Sequence, residues 1–446
     1  MEDTRQRNNI RVLIFPWLAH GHITPFLELA KKLTQRNFHI YFCSTTVNLN
    51  SIKPKLVIDP KYSTCIELVE LHLPSLPELP PHHHTTKGLS PHLLSTLHKS
   101  LDMSRPNFSN ILETLKPDLL IHDFFPPWVP LVASSMNIPS VVFINSGANL
   151  MSCFLHGCKK NGYHDYPYPQ IFPDDMETKI AKVLESASTD YETIFRFYDT
   201  CGDIMLVKSF KELDGKYMDH ASHLLGKKLV PMGILVPDPE DNDEEGMDII
   251  NWLDRKERLS TVFVSFGSEC YLSKEDIEEV AHGLELSKVN FIWVIRFPEG
   301  EKLKLEEALP NGFLEKVKEK GLVVENWASQ MKILNHSSIG GFVSHCGWGS
   351  LTESIKFGVP IIATPMQFEQ PWNARLIVEC GIGLEVKRSI NGGLQREDIA
   401  QVIKHVMVEK IGDDIRRKVK EMSDNIQRKG DGEIIDEVAK ELIQLL

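Results

Sequence analysis

The densest chemistry in this 446-residue chain lies in His345-Cys346-Gly347-Trp348-Gly349-Ser350, with Glu353 three residues on. The apolar run Ile339–Ser344 before it predicts a buried strand. A helix is expected from Ser350 to about Phe357, and a second buried strand over Pro360–Pro365. Strand, glycine turn and helix start together make an anion site. Small residues admit a diphosphate, and the unpaired N–H groups and dipole of the helix start favour negative charge. Each residue also has a plainer reading. The turn could be only a tight connection, and His345 a hydrogen-bonded core histidine. Ser350-x-x-Glu353 could be a capping box that merely starts the helix. Gly347-Trp348-Gly349, with Glu369 20 residues past Gly349, also imitates a dinucleotide fingerprint. Thr352 stands where its third glycine belongs.

The 44 residues Trp327–Gln370, WASQMKILNHSSIGGFVSHCGWGSLTESIKFGVPIIATPMQFEQ, resemble the signature box of plant secondary-product UDP-glycosyltransferases in length, order and most key positions. That resemblance implies an α/β fold of the GT-B type, two facing Rossmann-like domains with a cleft between them. It implies inverting, metal-independent transfer, with UDP-glucose as co-substrate and no cofactor. It gives the diphosphate to His345, to the turn at Gly347 and Gly349, to Ser350, and to Ser268 in the similar turn VSFGS. It gives the ribose hydroxyls to Glu353, which leaves capping to Ser350. Trp327 would stack on uracil, with Ala328 and Gln330 also among the donor contacts. Trp348 matches a position near the sugar, and Glu369-Gln370 would hold the sugar hydroxyls. Gln at the last position points to glucose, and no arginine beside it argues for glucuronic acid. Two positions depart from the pattern. Gly349 stands where the family has an asparagine that commonly donates to the diphosphate, so weaker donor binding is expected. Ser329 replaces the usual proline, with little consequence.

His22, in AHGHITP (19–25), matches the histidine of the family's GHxxP pattern, which implies the general base. An alcohol is a poor nucleophile until its proton leaves, and histidine titrates near neutral pH. Asp123 ends DLLIHD (118–123) and matches the aspartate that orients this histidine. His20 and His122 adjoin them and are the confounders. In-line attack would turn an α-linked donor into a β-glycoside, and the leaving UDP would be met by the helix start. The loop LPPHHHTTKGLSPHL (79–93) and the stretch FPWLAHGH (15–22) resemble the branch that extends sugars already present on glycosides. A terpenoid or flavonoid glycoside is therefore the expected acceptor, with an aglycone as the alternative. Phe124, Phe125, Ser146 and Phe154 are the candidate lining. His82-His83-His84 and Asp241-Asn242-Asp243 imitate metal sites. Three adjacent histidines on a Pro-rich loop rarely converge on one ion, and the second motif sits in an acidic run.

Two α/β halves must position these residues. Strands are expected over 10–16, 38–43, 67–73, 118–123, 140–144 and 203–208, with helices over 23–36, 94–115, 129–136 and 148–158. Residues 76–91 and 159–180 read as loops. The second series has strands over 261–266, 290–296, 321–325 and 382–387, besides those of the box. Its helices fall at 274–286, 371–379, 396–409 and 412–428. Such alternation implies parallel sheets covered by helices, with ligands at the carboxyl edges of the strands. The expected domains are 1–236 for the acceptor, a Pro- and acid-rich linker 237–250, and 251–428 for the UDP-sugar. A final helix, 429–446, is expected to pack back on the first domain.

Composition narrows the alternatives. A formal charge of −12 argues against a nucleic-acid binder. Eight scattered cysteines without a CxxC pair read as reduced thiols of a cytosolic protein. Met1–Arg11 is polar, so no secretory leader is expected, and no stretch reaches the roughly 18 apolar residues of a membrane span. A cytoplasmic monomer is expected, its partners a UDP-sugar and a small molecule. An NAD-dependent oxidoreductase is the runner-up. Intact His22 and Asp123 speak against a nucleotide-sugar binder without catalysis.

Overall fold

Seven short apolar runs form the first sheet: β1 (Ile10–Phe15), β2 (Phe38–Ser44), β3 (Ile66–Glu70), β4 (Leu119–His122), β5 (Ser140–Ile144), β6 (Ile204–Val207) and β7 (Lys228–Pro231). All pairings are parallel, in the order β3-β2-β1-β4-β5-β6-β7. A computed structural model describes residues 9–57, 60–160, 162–186, 191–239, 246–267, 270–297, 304–325, 327–389 and 392–446. Alternation along β1 sends its side chains to opposite faces. Val12 and Ile14 pack with Phe26, Leu29, Ala30 and Leu33 of the helix His20–Thr34. Leu13 and Phe15 pack with Leu97, Leu101, Phe108 and Leu112 on the other side. Both faces are thus dry, as a parallel sheet requires, and each fully buried Leu, Ile or Phe contributes roughly 1.5–3 kcal/mol.

The second sheet contains β8 (Thr261–Ser265), β9 (Asn290–Ile295), β10 (Gly321–Glu325), β11 (Ile339–Ser344), β12 (Ile361–Ala363) and β13 (Gly383–Glu385). They too are parallel, in the order β10-β9-β8-β11-β12-β13. Val262, Val264 and Trp293 face the helices Lys274–Ser287 and Arg396–Met407, while Phe263, Ile292 and Phe342 face Ile333 and Leu334. In each sheet the strand order reverses once beside the first strand, between β1 and β4 and between β8 and β11. Open α/β sheets bind ligands at such reversals, outside the carboxyl ends of the strands.

The chain divides into two compact units. One comprises Met1–His164, Leu184–Leu235 and Lys429–Leu446, the other Asp165–Val183 and Val236–Arg428. The continuous expectation of 1–236 is thus interrupted, because Asp165–Val183 groups with the second unit. Asp174 pairs with Arg375 at 3.1 Å, and Gln170 donates to Glu379 at 2.5 Å. At the other end, the helix Lys410–Ile443 breaks at Gly430, whose φ of 62° and ψ of 139° are not helical. Beyond the break, Ile435, Val438, Ala439 and Leu442 are buried in the core that holds β1 and β2. Arg36 to Asp436 (2.7 Å) and Lys228 to Glu441 (2.6 Å) flank that packing.

Several elements differ from the sequence expectation. Leu94–Leu115 is two helices, Leu94–Met103 and Arg105–Leu115, because Pro106 suits only a first turn. The loop-rich stretch 159–180 ends inside a helix, Met176–Ser186, and the helix Lys211–Leu225 precedes an unanticipated β7. Met247–Leu253 is helical within the expected linker. Asp241-Asn242-Asp243 and Ser268 lie outside the described residues.

Candidate active site

At the first reversal, Phe15 of β1 lies level with His122 of β4, so the two strands end side by side. The helix after β1 begins at His20, which puts His22 in its first turn. Asp123 follows β4 and is fully buried. Its backbone N–H donates to the Phe15 carbonyl at 3.0 Å, which fixes where its side chain starts. The carboxylate accepts three hydrogen bonds. His22 Nδ1 lies 2.7 Å from Oδ2, the Trp17 N–H 3.2 Å from the same oxygen, and the Phe124 N–H 2.8 Å from Oδ1. A carboxylate only accepts, so His22 carries its proton on Nδ1, which leaves Nε2 as the unprotonated nitrogen of the neutral ring. The His22 side chain is 20% exposed, enough for a substrate to reach.

The confounding histidines separate on geometry. His122 is fully buried and donates from Nδ1 to the Asp123 carbonyl at 2.8 Å. Burial pushes its pKa down to about 4, so it is a neutral core residue. His20 is also lowered, by burial first and then by Lys87 and Lys55. Of the proposed lining, Phe125 meets the His22 ring edge-on at 5.5 Å and Phe124 lies at 6.2 Å, the two phenyls stacked at 4.2 Å. Ser146 is half-buried and donates a long hydrogen bond to the Gly147 carbonyl, 3.5 Å. Phe154 is 7% exposed on the helix Ala148–Lys160, which leaves it little surface for an acceptor.

Two features here escape sequence reasoning. Asn145, at the end of β5, donates from Nδ2 to the Gly21 carbonyl at 2.6 Å and pins the start of the His22 helix. The loop over 79–93 is fastened to the same turn. The Leu18 carbonyl accepts from the Thr86 N–H at 2.9 Å and the Thr85 hydroxyl at 3.3 Å. The His84 carbonyl accepts from the Thr45 hydroxyl at 2.7 Å. Among the described residues, no three His, Cys, Asp or Glu side chains gather as a metal-binding group, the tract at 82–84 included.

At the second reversal, Ser265 of β8 lies level with Ser344 of β11. His345 follows β11, and its ring lies against Gly267 and Gly347. A Cβ on Gly267 would approach the ring Cε1 to 2.6 Å, and one on Gly347 would approach Nε2 to 2.6 Å. Only glycine fits at either place, and Gly267 also has a φ of 82°. Burial pushes the His345 pKa down to about 4, so the ring is neutral near pH 7. Its buried Nδ1 has no partner among the described residues, which costs about 1–3 kcal/mol without a ligand.

The helix after the turn spans Trp348–Lys356, with Gly347 as its N-cap and no side-chain cap. This corrects the expected start at Ser350 and its capping box. The extended backbone of Gly347 (φ −60°, ψ 142°) lets the helix begin two residues earlier, so Ser350 falls inside the first turn. Gln330, on the helix Gln330–Leu334, takes up both members of that box. Its Nε2 donates to Ser350 Oγ at 3.1 Å and to Glu353 Oε2 at 2.7 Å. The N–H groups of Trp348, Gly349 and Ser350 precede the first intrahelical bond, Leu351 to Gly347.

Trp327 is 47% exposed, which leaves a flat ring open for stacking. Ala328 beside it is buried with Ile333 and Leu334 and anchors the turn. Trp348, by contrast, is buried. Glu369 is the N-cap of the helix Gln370–Cys380. Gln370 is buried, and its Oε1 accepts from the N–H groups of Met366 (3.0 Å) and Gln367 (2.9 Å). Its carbonyl therefore holds the loop, and only the amide NH2 remains for a sugar hydroxyl. Asn373, unanticipated from the sequence, donates from Nδ2 to the Cys346 carbonyl at 2.9 Å and steadies the left-handed Cys346 (φ 65°). It lies one helical turn from Gln370, on the same face.

The profile described as "UDP-glucoronosyl and UDP-glucosyl transferase" matches residues 240–419, and the "Glycosyltransferase, N-terminal domain" profile matches 8–236. A mogroside IIIx synthase of Siraitia grosvenorii is 49% identical, with 100% of this chain and 95% of the relative covered. This chain belongs to the UDP-glycosyltransferase family. A second relative, the β-D-glucosyl crocetin β-1,6-glucosyltransferase of Gardenia jasminoides, is 48% identical over 97% of this chain and 98% of its own. The glycosyltransferase fold is shared with Phytolacca americana UGT2, solved with UDP-2-fluoro-glucose and pterostilbene. The TM-score is 0.77 at 26% identity, over 97% of this chain and 99% of that one. Both units of this UDP-glycosyltransferase are Rossmann-like, and the fold is GT-B. No helix among its described residues is long and apolar enough to cross a membrane. At Gly349 the glycosyltransferase has room for a side chain, since an added Cβ meets nothing within 4 Å.

Proposed function

We propose that this UDP-glycosyltransferase moves glucose from UDP-glucose to a sugar hydroxyl of a plant glycoside, such as a terpenoid or flavonoid glycoside, and leaves a β-linkage. The observation that carries the reading is the 2.7 Å pair of His22 and buried Asp123. The acceptor hydroxyl gives its proton to His22 Nε2 as its oxygen bonds to the anomeric carbon. The bond from that carbon to the UDP oxygen breaks on the opposite side, which inverts the centre. Asp123 stabilises the imidazolium that results. The charge arriving on UDP meets the N–H groups of Trp348, Gly349 and Ser350 and the neutral His345 ring. The scheme uses no metal ion and no cofactor.

In this reading Trp327 stacks on uracil, Glu353 takes the ribose hydroxyls, and Glu369 with the Gln370 amide takes the sugar hydroxyls. Gln330 orients Glu353, and Ser268 completes the phosphate contacts. Two observations support a glycoside acceptor: the loop 79–93 is fastened to the turn that bears His22, and a relative is named for glucosyl crocetin. The eight free cysteines suit a reducing cytosol, where we place the protein as a monomer.

The test is product analysis by mass spectrometry. Glucosyl crocetin, a flavonoid glucoside and their aglycones are each incubated with UDP-glucose, UDP-galactose or UDP-glucuronate. One hexose added to a glucoside from UDP-glucose is the expected result. Products from aglycones alone would replace the acceptor assignment, and absence of UDP release with every pair would remove the function.

A further inference from the structure

Beside the His22–Asp123 pair, unit 1 carries an aromatic cluster that the reaction does not require. Trp17 lies in the turn between β1 and the His22 helix and is buried. Its ring stacks on His98 at 4.3 Å and 19°, and lies 5.0 Å from Phe125. His98 and Phe125 are 5.7 Å apart, and Phe125 in turn meets His22 at 5.5 Å. His98 is therefore one ring away from the base. It sits on the helix Leu94–Met103, just after the loop fastened to Leu18, and it is half-buried. Neither of its ring nitrogens has a hydrogen-bond partner among the described residues.

We propose that His98 is a specificity-determining residue that recognises the sugar of the acceptor. The proposal rests on the glycoside reading above. Its argument is chemical. A wall of the half-buried Phe124 and Phe125 suits the apolar side of a bound molecule and offers its hydroxyls nothing. A glycoside brings several hydroxyls to the base at once, and those not attacked must find polar partners or lose their water at a cost. Burial lowers the His98 pKa, with Asp102 opposing it. The ring is thereby kept neutral, so one nitrogen donates and the other accepts, a match for a hydroxyl that does both. Its stacking on Trp17 fixes the ring plane, and the helix fixes the distance to His22. Asp102 is itself held, accepting from Trp128 Nε1 at 2.9 Å.

His98→Phe keeps the ring and its stacking and removes both nitrogens. Wild type and variant are compared on whichever of glucosyl crocetin and a flavonoid glucoside the wild type uses, with UDP affinity measured by calorimetry. The expected result is a KM for the glucoside raised about tenfold, with kcat within about twofold and UDP affinity unchanged. His98→Gln, which returns a donor and an acceptor, is expected to recover part of that loss. An unaltered glucoside KM in His98→Phe overturns the assignment while leaving the glycoside reading intact. A fall in kcat at constant KM also overturns it, since that outcome describes support of the base rather than acceptor recognition. A wild type that glucosylates aglycones and no glucoside overturns the glycoside reading and this assignment together. Should the Phe variant not fold, His98→Leu carries the same comparison.

Discussion

His22 Nδ1 and Asp123 Oδ2 lie 2.7 Å apart although 101 residues separate them in sequence. The parallel pairing of β1 and β4 brings them together, since each residue follows the end of its strand at the reversal of the sheet. The contact decides the tautomer of His22, and with it which nitrogen can take a proton.

Replacing Asp123 with Asn tests that dependence. The amide is nearly isosteric, but it no longer acts solely as an acceptor toward Nδ1–H. A neutral amide also gives the imidazolium no charge to lean on. Asp123→Asn is expected to lower kcat by about 10²–10⁴, with UDP affinity unchanged. Steady-state rates and UDP calorimetry on the same preparation check both halves.

Gly349 lies in the first turn of the Trp348 helix with open space around it. An asparagine there can add a donor toward the diphosphate at no steric cost. Gly349→Asn is expected to tighten UDP binding by about 1–2 kcal/mol, near tenfold in Kd. Calorimetry showing equal or weaker binding would count against the proposed place of the diphosphate.

Gly267 is the converse case. A methyl group would enter the His345 ring at 2.6 Å, on a backbone with φ of 82°. Gly267→Ala is expected to destabilise the fold by about 1–3 kcal/mol and to weaken UDP binding as His345 is displaced. Thermal unfolding with and without UDP separates the two effects.

These site arguments show how much of the molecule is legible in its sequence. The glycine turn, the flanking strands and the GHxxP histidine are local patterns, and local patterns survive in a string of residues. The contacts Gln330–Glu353, Asn373–Cys346 and Asn145–Gly21 join separate elements, and only the fold makes them neighbours. The start of the Trp348 helix was ambiguous for another reason: Ser350 makes a good cap, while a bare glycine does the work here. The helix Lys211–Leu225 was legible after all, since Leu213, Tyr217, Ala221 and Leu224 recur at helical spacing and are buried.

His122 and His345 make stability depend on pH. Both have folded pKa values near 4, below the ordinary 6.5. The unfolded chain binds protons that the folded one refuses, so stability is fully present above about pH 6.5. It is lost as pH falls toward 4, by up to about 3 kcal/mol for each histidine. Tm measured across that range is expected to fall, and His122→Gln is expected to flatten the slope. An equal slope in wild type and variant would remove His122 from the account.

The central claim is that His22 is the base of a UDP-sugar transfer. The direct measurement is glucoside formation from UDP-glucose by His22→Ala, alongside its affinity for UDP. The account predicts no detectable product with UDP bound as tightly as by wild type. Product formed at the wild-type rate would contradict it.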